Sequence, residues 1–267
     1  MKNTRFKEMI WDFYAKHRRD FPWRETQNPY EIMVSELMLQ QTQTDRVVPK
    51  YLSFLRRFPT AKKLANAKLA DILSLWQGLG YNKRALYLKK TCELIERNFA
   101  GDISVALHSD TKLPGIGHYT RSAICTFAWN EPHIFIETNI RSVYIHHFFP
   151  KKKKISDSHL HRVINETMDV ENPREWYWAL MDYGSHLKRT IKNPSRKSTH
   201  HVKQSRFEGS NRELRSLILR EVLKSPQSLE SLHKKIRKPL LDIDHNLHAM
   251  TREGLIRIAK GKISICN

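Results

Sequence analysis

The chain has 267 residues, with 47 Lys plus Arg against 27 Asp plus Glu, a formal net charge of +20. Hydrophobic residues make up 40% of it, enough for a real core, which excludes wholesale disorder. Such a positive excess points to a polyanionic partner, nucleic acid being the commonest, with a solvated basic surface as the plainer alternative. No apolar stretch approaches the roughly 20 residues of a membrane span, and Met1 to Asp20 is charged throughout, with no leader pattern. The three cysteines, Cys92, Cys125 and Cys266, show no paired metal-ligand spacing. These features predict a cytoplasmic protein (prokaryotic cytosol or nucleoid) with reduced thiols, no metal and no membrane partner.

In chain order, Asn28-Pro29-Tyr30-Glu31 supplies an N-cap, a proline at the first helical position and a capping glutamate. It predicts a helix running to about Gln43. Helical periodicity continues over Thr60 to Trp76, Arg84 to Asn98, Tyr119 to Trp129, Asn139 to Phe149 and Ser158 to Met168. Glycine and proline mark turns at Gly78-Leu79-Gly80, Pro114-Gly115-Ile116-Gly117 and Asn172-Pro173. From Lys188 to Gly209 apolar residues thin out, which predicts a basic linker or surface loop. His200 and His201 lie within it, a pair more often solvated than metal-bound. Three amphipathic segments from Asn211 to Met250 follow, then Leu255 to Ile258 and Lys262 to Ile265 as a small hairpin. Three helices and a two-stranded wing predict a winged helix, a module that docks DNA or protein.

Two segments carry possible chemistry. In Ile32 to Leu39, Glu36 is a lone carboxylate among apolar neighbours, and burial favours the protonated form of such a group. On a continuous helix Gln40 and Gln43 would extend it into a polar stripe lining a cleft, unless that stripe faces solvent. In Leu113-Pro114-Gly115-Ile116-Gly117-His118-Tyr119-Thr120, two glycines before a helix leave backbone N–H groups open to a phosphate. With helices on both sides this is a helix-hairpin-helix signature, which grips DNA backbone without reading sequence.

Together with Phe21-Pro22-Trp23-Arg24, Ser35 to Gln43 and Trp76-Gln77-Gly78-Leu79-Gly80-Tyr81, the hairpin resembles the MutY-type adenine glycosylases, relatives of endonuclease III. The likeness runs from about Phe6 to Gly184. It implies a mainly α, two-domain helix-hairpin-helix glycosylase fold: a six-helix barrel over residues 25–130, and a flanking helical domain from 1–24 and 131–205. Residues 206–267 would add the winged helix. The implied activity is monofunctional hydrolysis of the N-glycosidic bond of a flipped base in base excision repair, with adenine opposite 8-oxoguanine or guanine as the first expectation. Hypoxanthine, uracil or mispaired thymine remain alternatives, as does a non-catalytic DNA-binding or regulatory protein on the same scaffold. The partner would be double-stranded DNA with a damaged or mismatched base, engaged by a monomer.

By position, the resemblance assigns base protonation to Glu36 and places Tyr119 beside it. Tyr119 stands where lyase relatives keep a Schiff-base lysine, so covalent lyase chemistry is not expected. Gln41 and Tyr81 match side chains that wedge into the stack, with Gln40, Gly115, Gly117 and His118 as further DNA contacts. Arg24, Leu39 and Trp178 fall near the base pocket, Trp178 replacing the usual Gln or Glu. Glu137, followed by Asn139, stands where the family has an oxocarbenium-stabilising Asp, one methylene longer. The family's iron–sulfur cysteines after Met181-Asp182-Tyr183-Gly184 are missing, so no cofactor is expected, and the basic loop 188–206 would cover that surface.

Overall fold

The computed structural model describes residues 3–202 and 206–266. The helices run α1 (Asn3–His17), α2 (Pro29–Leu39), α3 (Thr44–Arg57), α4 (Ala61–Ala65), α5 (Leu69–Trp76), α6 (Lys83–Phe99) and α7 (Ile103–His108). They continue with α8 (His118–Trp129), α9 (Thr138–Phe148), α10 (Asp157–Thr167), α11 (Pro173–Thr190), α12 (Asn211–Lys224), α13 (Leu229–Ile236) and α14 (Leu240–Arg252). Strands β1 (Ile256–Ala259) and β2 (Lys262–Ile265) close the described chain. No helix is long and apolar enough to cross a membrane. The contacts divide the chain into two compact units, Met1–Ile32 with Ile116–Lys203, and Met33–Gly115 with Gln204–Asn267.

The first unit is built on α11. Helix α1 buries Phe6, Ile10 and Tyr14, a stripe at fourfold spacing that lies against α11. Phe6 sits 5.3 Å from the Tyr144 ring and 6.0 Å from Trp176, both fully buried. Each such side chain contributes on the order of 1.5–3 kcal/mol by leaving water. Helices α9 and α11 approach so closely that a Cβ on Gly184 would lie 2.5 Å from the Asn139 carbonyl oxygen. Only glycine permits that crossing. Arg141 fastens α9 to α10 through two bonds to Asp157, at 2.9 and 2.7 Å.

The basic segment after α11 is shorter and better anchored than its composition predicts. Helix α11 extends through Lys188 to Thr190, because Leu187 still faces the core. Beyond it, Pro194 and Ser195 are buried, and the Ile155 N–H donates to the Lys197 carbonyl at 3.0 Å. His200 and His201 are exposed.

In the second unit, α5 buries Leu69, Ile72, Leu73 and Trp76 as one apolar stripe. The single helix expected from Thr60 to Trp76 is in fact two. Asn66 ends α4, its side chain donating to the Lys62 carbonyl at 3.0 Å, and Lys68 opens α5. Helix α3 was not anticipated, since Pro49 stands inside it. The C-terminal segment follows the helix-helix-helix-hairpin order of a winged helix. Ser210 caps α12 by accepting from the Glu213 N–H, while Glu213 accepts from the Gly209 N–H at 2.9 Å. Strand β1 pairs antiparallel with β2, Ile256 opposite Ile265, and a Gln227–Ile263 bridge adds a third short edge.

Candidate active site

Helix α2 begins where the sequence predicts, the Asn28 side chain accepting from the Tyr30 N–H at 3.0 Å. It ends four residues early, at Leu39. The cause is Arg84 on α6. Its Nη1 donates to the carbonyls of Leu37, Met38 and Gln40 at 2.7, 2.9 and 2.6 Å. A cation at a helix C-terminus satisfies the last carbonyls and suits the macrodipole. Nη2 binds the carbonyls of Leu79 and Gly80, at 3.1 and 2.9 Å, and the Thr42 hydroxyl at 3.1 Å. Burial lowers the Arg84 pKa to about 10, so it stays charged at neutral pH.

The expected polar stripe therefore does not exist. Glu36 is buried, at 7% exposure, within a run that is closed from Ile32 to Met38. Leu39 and Gln40 are half-buried, while Gln43 lies outside the helix and is exposed. Gln41 adopts φ 53° and Tyr81 φ 47°, left-handed backbone that is uncommon away from glycine. Arg84 ties down both turns. Strain of this kind persists only where the surroundings impose it, and it gathers at functional sites.

The same unit brings four of the sequence-predicted DNA contacts to one place. Gln40, Gln41, Tyr81 and Gly115 line a cavity of about 470 Å³, joined there by Arg212 and Arg215 of α12. Gly115 has φ 74°, and a Cβ on it would meet the Tyr87 Cβ at 2.9 Å. The buried Thr91 hydroxyl fixes the neighbouring turn by donating to the Pro114 carbonyl at 2.7 Å. Arg212 was not anticipated, because it belongs to the segment that carries no resemblance.

In the first unit, Gly117 and His118 are exposed at the start of α8, and Tyr119 is half-buried with its ring 5.6 Å from Phe135. Glu137 caps α9. Its Oε1 accepts from the Asn139 and Ile140 N–H groups at 2.5 and 2.9 Å, and Oε2 from Asn139 Nδ2 at 3.2 Å. The side chain thus folds back on its own backbone and caps α9. Burial pushes the Glu137 carboxyl above its ordinary range, against the opposing pull of Lys188 and the two backbone donors. Lys188 is itself held below its usual value by burial, with Glu137 acting the other way. Lys188 is a site neighbour that the sequence placed in a linker. Asn139 Oδ1 is buried and accepts no hydrogen bond among the described residues, beside a carboxylate that accepts three.

Arg24 and Trp178 line a second cavity, of about 600 Å³, with Arg174 and Asn130. Arg24 is committed elsewhere. Its Nη1 and Nη2 donate to Asp182 at 2.8 and 2.9 Å, and its guanidinium lies 5.4 Å over Trp178. Asp182 also takes the Arg19 N–H and Nε, at 3.0 and 2.7 Å, and was not anticipated as a site residue.

The family of HhH-GPD superfamily base excision DNA repair proteins matches residues 34–174. The chain belongs to this family. It is 34% identical over 185 residues to an adenine DNA glycosylase of Buchnera aphidicola subsp. Baizongia pistaciae, covering 67% of this chain and 52% of that one. It thus spans about half the length of that curated relative. It is also 34% identical over 153 residues to a thymine/uracil-DNA glycosylase of Pyrobaculum aerophilum, 57% of this chain and 66% of that protein. A solved thermostable thymine-DNA glycosylase shares the fold, with a TM-score of 0.63, 22% identity, and coverage of 73% of this chain and 92% of that chain.

A four-cysteine iron–sulfur cluster does not suit the donors of this chain. The usual set of four cysteine thiolates cannot be supplied by a sequence that holds three cysteines. Burial keeps the Cys92 and Cys125 thiols protonated, raising Cys125 to about 11.

Proposed function

We propose that this protein is a monofunctional DNA glycosylase of base excision repair, hydrolysing the N-glycosidic bond of a base flipped from duplex DNA. The observation that carries the reading is Glu36, a buried carboxyl in a largely apolar stretch of α2. In this reading Glu36 donates its proton to the extruded base, which then leaves as a neutral species. The Glu137 carboxylate offsets the positive charge that develops on the sugar, and Asn139 Oδ1 is an acceptor suited to the attacking water. Tyr119 offers no amine for a Schiff base, so strand cleavage is not part of the reaction. Adenine is the base favoured by the relatives named adenine DNA glycosylase, with 8-oxoguanine or guanine opposite it as the family resemblance implies. Thymine or uracil is the second reading, favoured by the relative named for those bases and by Trp178 in place of an amide or carboxylate. Domain limits near residues 25, 130 and 206 and a monomeric state belong to the same proposal.

The test is base release from duplexes carrying A:8-oxoguanine, A:G, hypoxanthine, uracil or T:G, developed with hot alkali. Release without strand breaks before alkali is expected. In Glu36→Gln the single-turnover rate falls about 10³-fold, with DNA affinity changed little. Loss of binding and turnover together would make Glu36 structural and sink the mechanism.

A further inference from the structure

We propose that α12 of the C-terminal segment completes a nucleotide-binding site in the cavity beside Gln41 and Tyr81, where Arg212 reads the base left behind opposite the extruded one. The inference rests on the glycosylase reading for its geometry of base extrusion. It concerns residues outside the family match, which ends at position 174.

Helix α12 is packed into its unit, not tethered beside it. It lies against α5 as well as α13, α14 and β2. Arg215 is ion-paired with Glu253, which steadies the cavity wall. Arg212 reaches across to Tyr81. Its Nη1 donates to the Tyr81 hydroxyl at 3.2 Å, and its guanidinium lies 5.2 Å from that ring's centroid. Arg84 stands 5.4 Å from the same ring. A tyrosine assigned to enter the base stack is therefore held by two guanidiniums, one from each part of the unit.

The lining identifies the ligand class. A phosphate site needs donors alone, yet the amides of Gln40, Gln41, Asn82 and Asn211 offer donors and acceptors together. The rings of Tyr81 and Tyr87 add flat apolar surface. Against one carboxylate, Glu253, stand Lys83, Arg84, Arg212 and Arg215. Planar walls, mixed hydrogen-bonding edges and surplus positive charge suit a nucleobase on its phosphate. Glu36 is not part of this lining, so the cavity serves a nucleotide other than the excised one. Extrusion unpairs one further base, its former partner, and only an unpaired base can leave the stack at small cost. An arginine fork matches the two acceptors on the outer edge of guanine, which makes a guanine-type purine the expected occupant.

The test uses the full chain and duplexes in which a stable abasic analogue, tetrahydrofuran, faces guanine, 8-oxoguanine, adenine, cytosine or thymine. No base is released, so affinity is read independently of Glu36 chemistry. The wild type should prefer a guanine-type partner over pyrimidines by about ten-fold or more, the worth of one good bidentate contact. In Arg212→Ala that spread should shrink to within about two- to three-fold, since the fork that supplies it is gone. Arg212→Lys keeps the charge and loses the planar fork, so it should lose the spread while keeping the salt dependence of binding. It also decides the matter if the alanine variant does not fold. A wild type indifferent to the facing base overturns the proposal. So does an Arg212 variant that keeps the full spread, or one that weakens every duplex equally, which would make Arg212 a phosphate anchor. A preserved spread in a protein that releases no base would sink the glycosylase reading and leave this site standing.

Discussion

Each unit of the molecule buries one arginine to the same extent, and the two solve the problem of a buried cation in opposite ways. Arg24 and Arg84 are both 7% exposed, and each lies over two aromatic rings, Phe21 and Trp178 for one, Trp76 and Tyr81 for the other. Arg24 is neutralised by the buried Asp182, with both side chains nearly closed to water. Among the described residues Arg84 has no carboxylate partner and is stabilised by backbone carbonyls, half of them at or just past the end of α2. An ion pair holds two side chains together; a cation on carbonyls fixes the course of the chain. The second arrangement positions Gln40, Gln41 and Tyr81, so it acts directly on residues proposed to contact DNA.

The sharpest way to break the comparison is to remove one partner of the pair. Asp182→Ala strands Arg24 as a buried cation and should cost about 3–5 kcal/mol. A drop in the urea midpoint with unchanged slope would report it. Should the variant lose less than about 1 kcal/mol, the pair is not the keystone of its unit. Arg84→Met removes a charge and several donors at once, leaving carbonyls of α2 unsatisfied at roughly 1–3 kcal/mol each. The relief of desolvation offsets part of this, for a net loss of about 3 kcal/mol. Unlike Asp182→Ala, it should also release the left-handed turns at Gln41 and Tyr81 and weaken DNA binding. Stability loss with intact DNA affinity would show that the carbonyl clamp does not position the wedge residues.

Gly184→Ala probes the site of the first unit through its backbone. The new methyl would overlap the Asn139 carbonyl, so α9 and α11 must part, at about 1–3 kcal/mol. Because Glu137 and Asn139 ride on the first turn of α9, turnover should fall further than stability. Equal losses in both would mean that the crossing serves packing alone.

How much of this was legible beforehand follows the range of the interactions involved. The start of α2 was readable, since Asn28 caps it from two residues away. Its end was not, because the donors that stop it come from Arg84, more than forty residues on. The winged-helix order after Asn211 was visible in local amphipathicity, whereas α3, with Pro49 inside it, was not. For the candidate site, residue types and spacing pointed to Glu36 and to the glycine turn at Gly115 and Gly117, while Gln41, Tyr81 and Glu137 came from the family resemblance alone. Partners fixed only by tertiary packing, Asp182, Lys188 and Arg212, had no local signal.

The smallest expected effect concerns Glu137, and it separates charge from geometry. Its carboxyl is raised by burial, so the ionised form that would stabilise a cationic sugar is reached only above the usual carboxylate range. The rate should therefore rise with pH on the acidic side, with a midpoint higher than an exposed glutamate would give. Lys188 pulls in the other direction, favouring the charged carboxylate. Lys188→Met should shift that midpoint upward while leaving the plateau rate largely intact. Glu137→Asp shortens the side chain by a bond yet can still cap α9, so its plateau should stay within about ten-fold of wild type. A limb unmoved by Lys188→Met would mean that another group governs the acidic side. A hundred-fold loss in Glu137→Asp would mean that the fold-back of the longer side chain sets the geometry of catalysis, and that α9 has been tuned to glutamate.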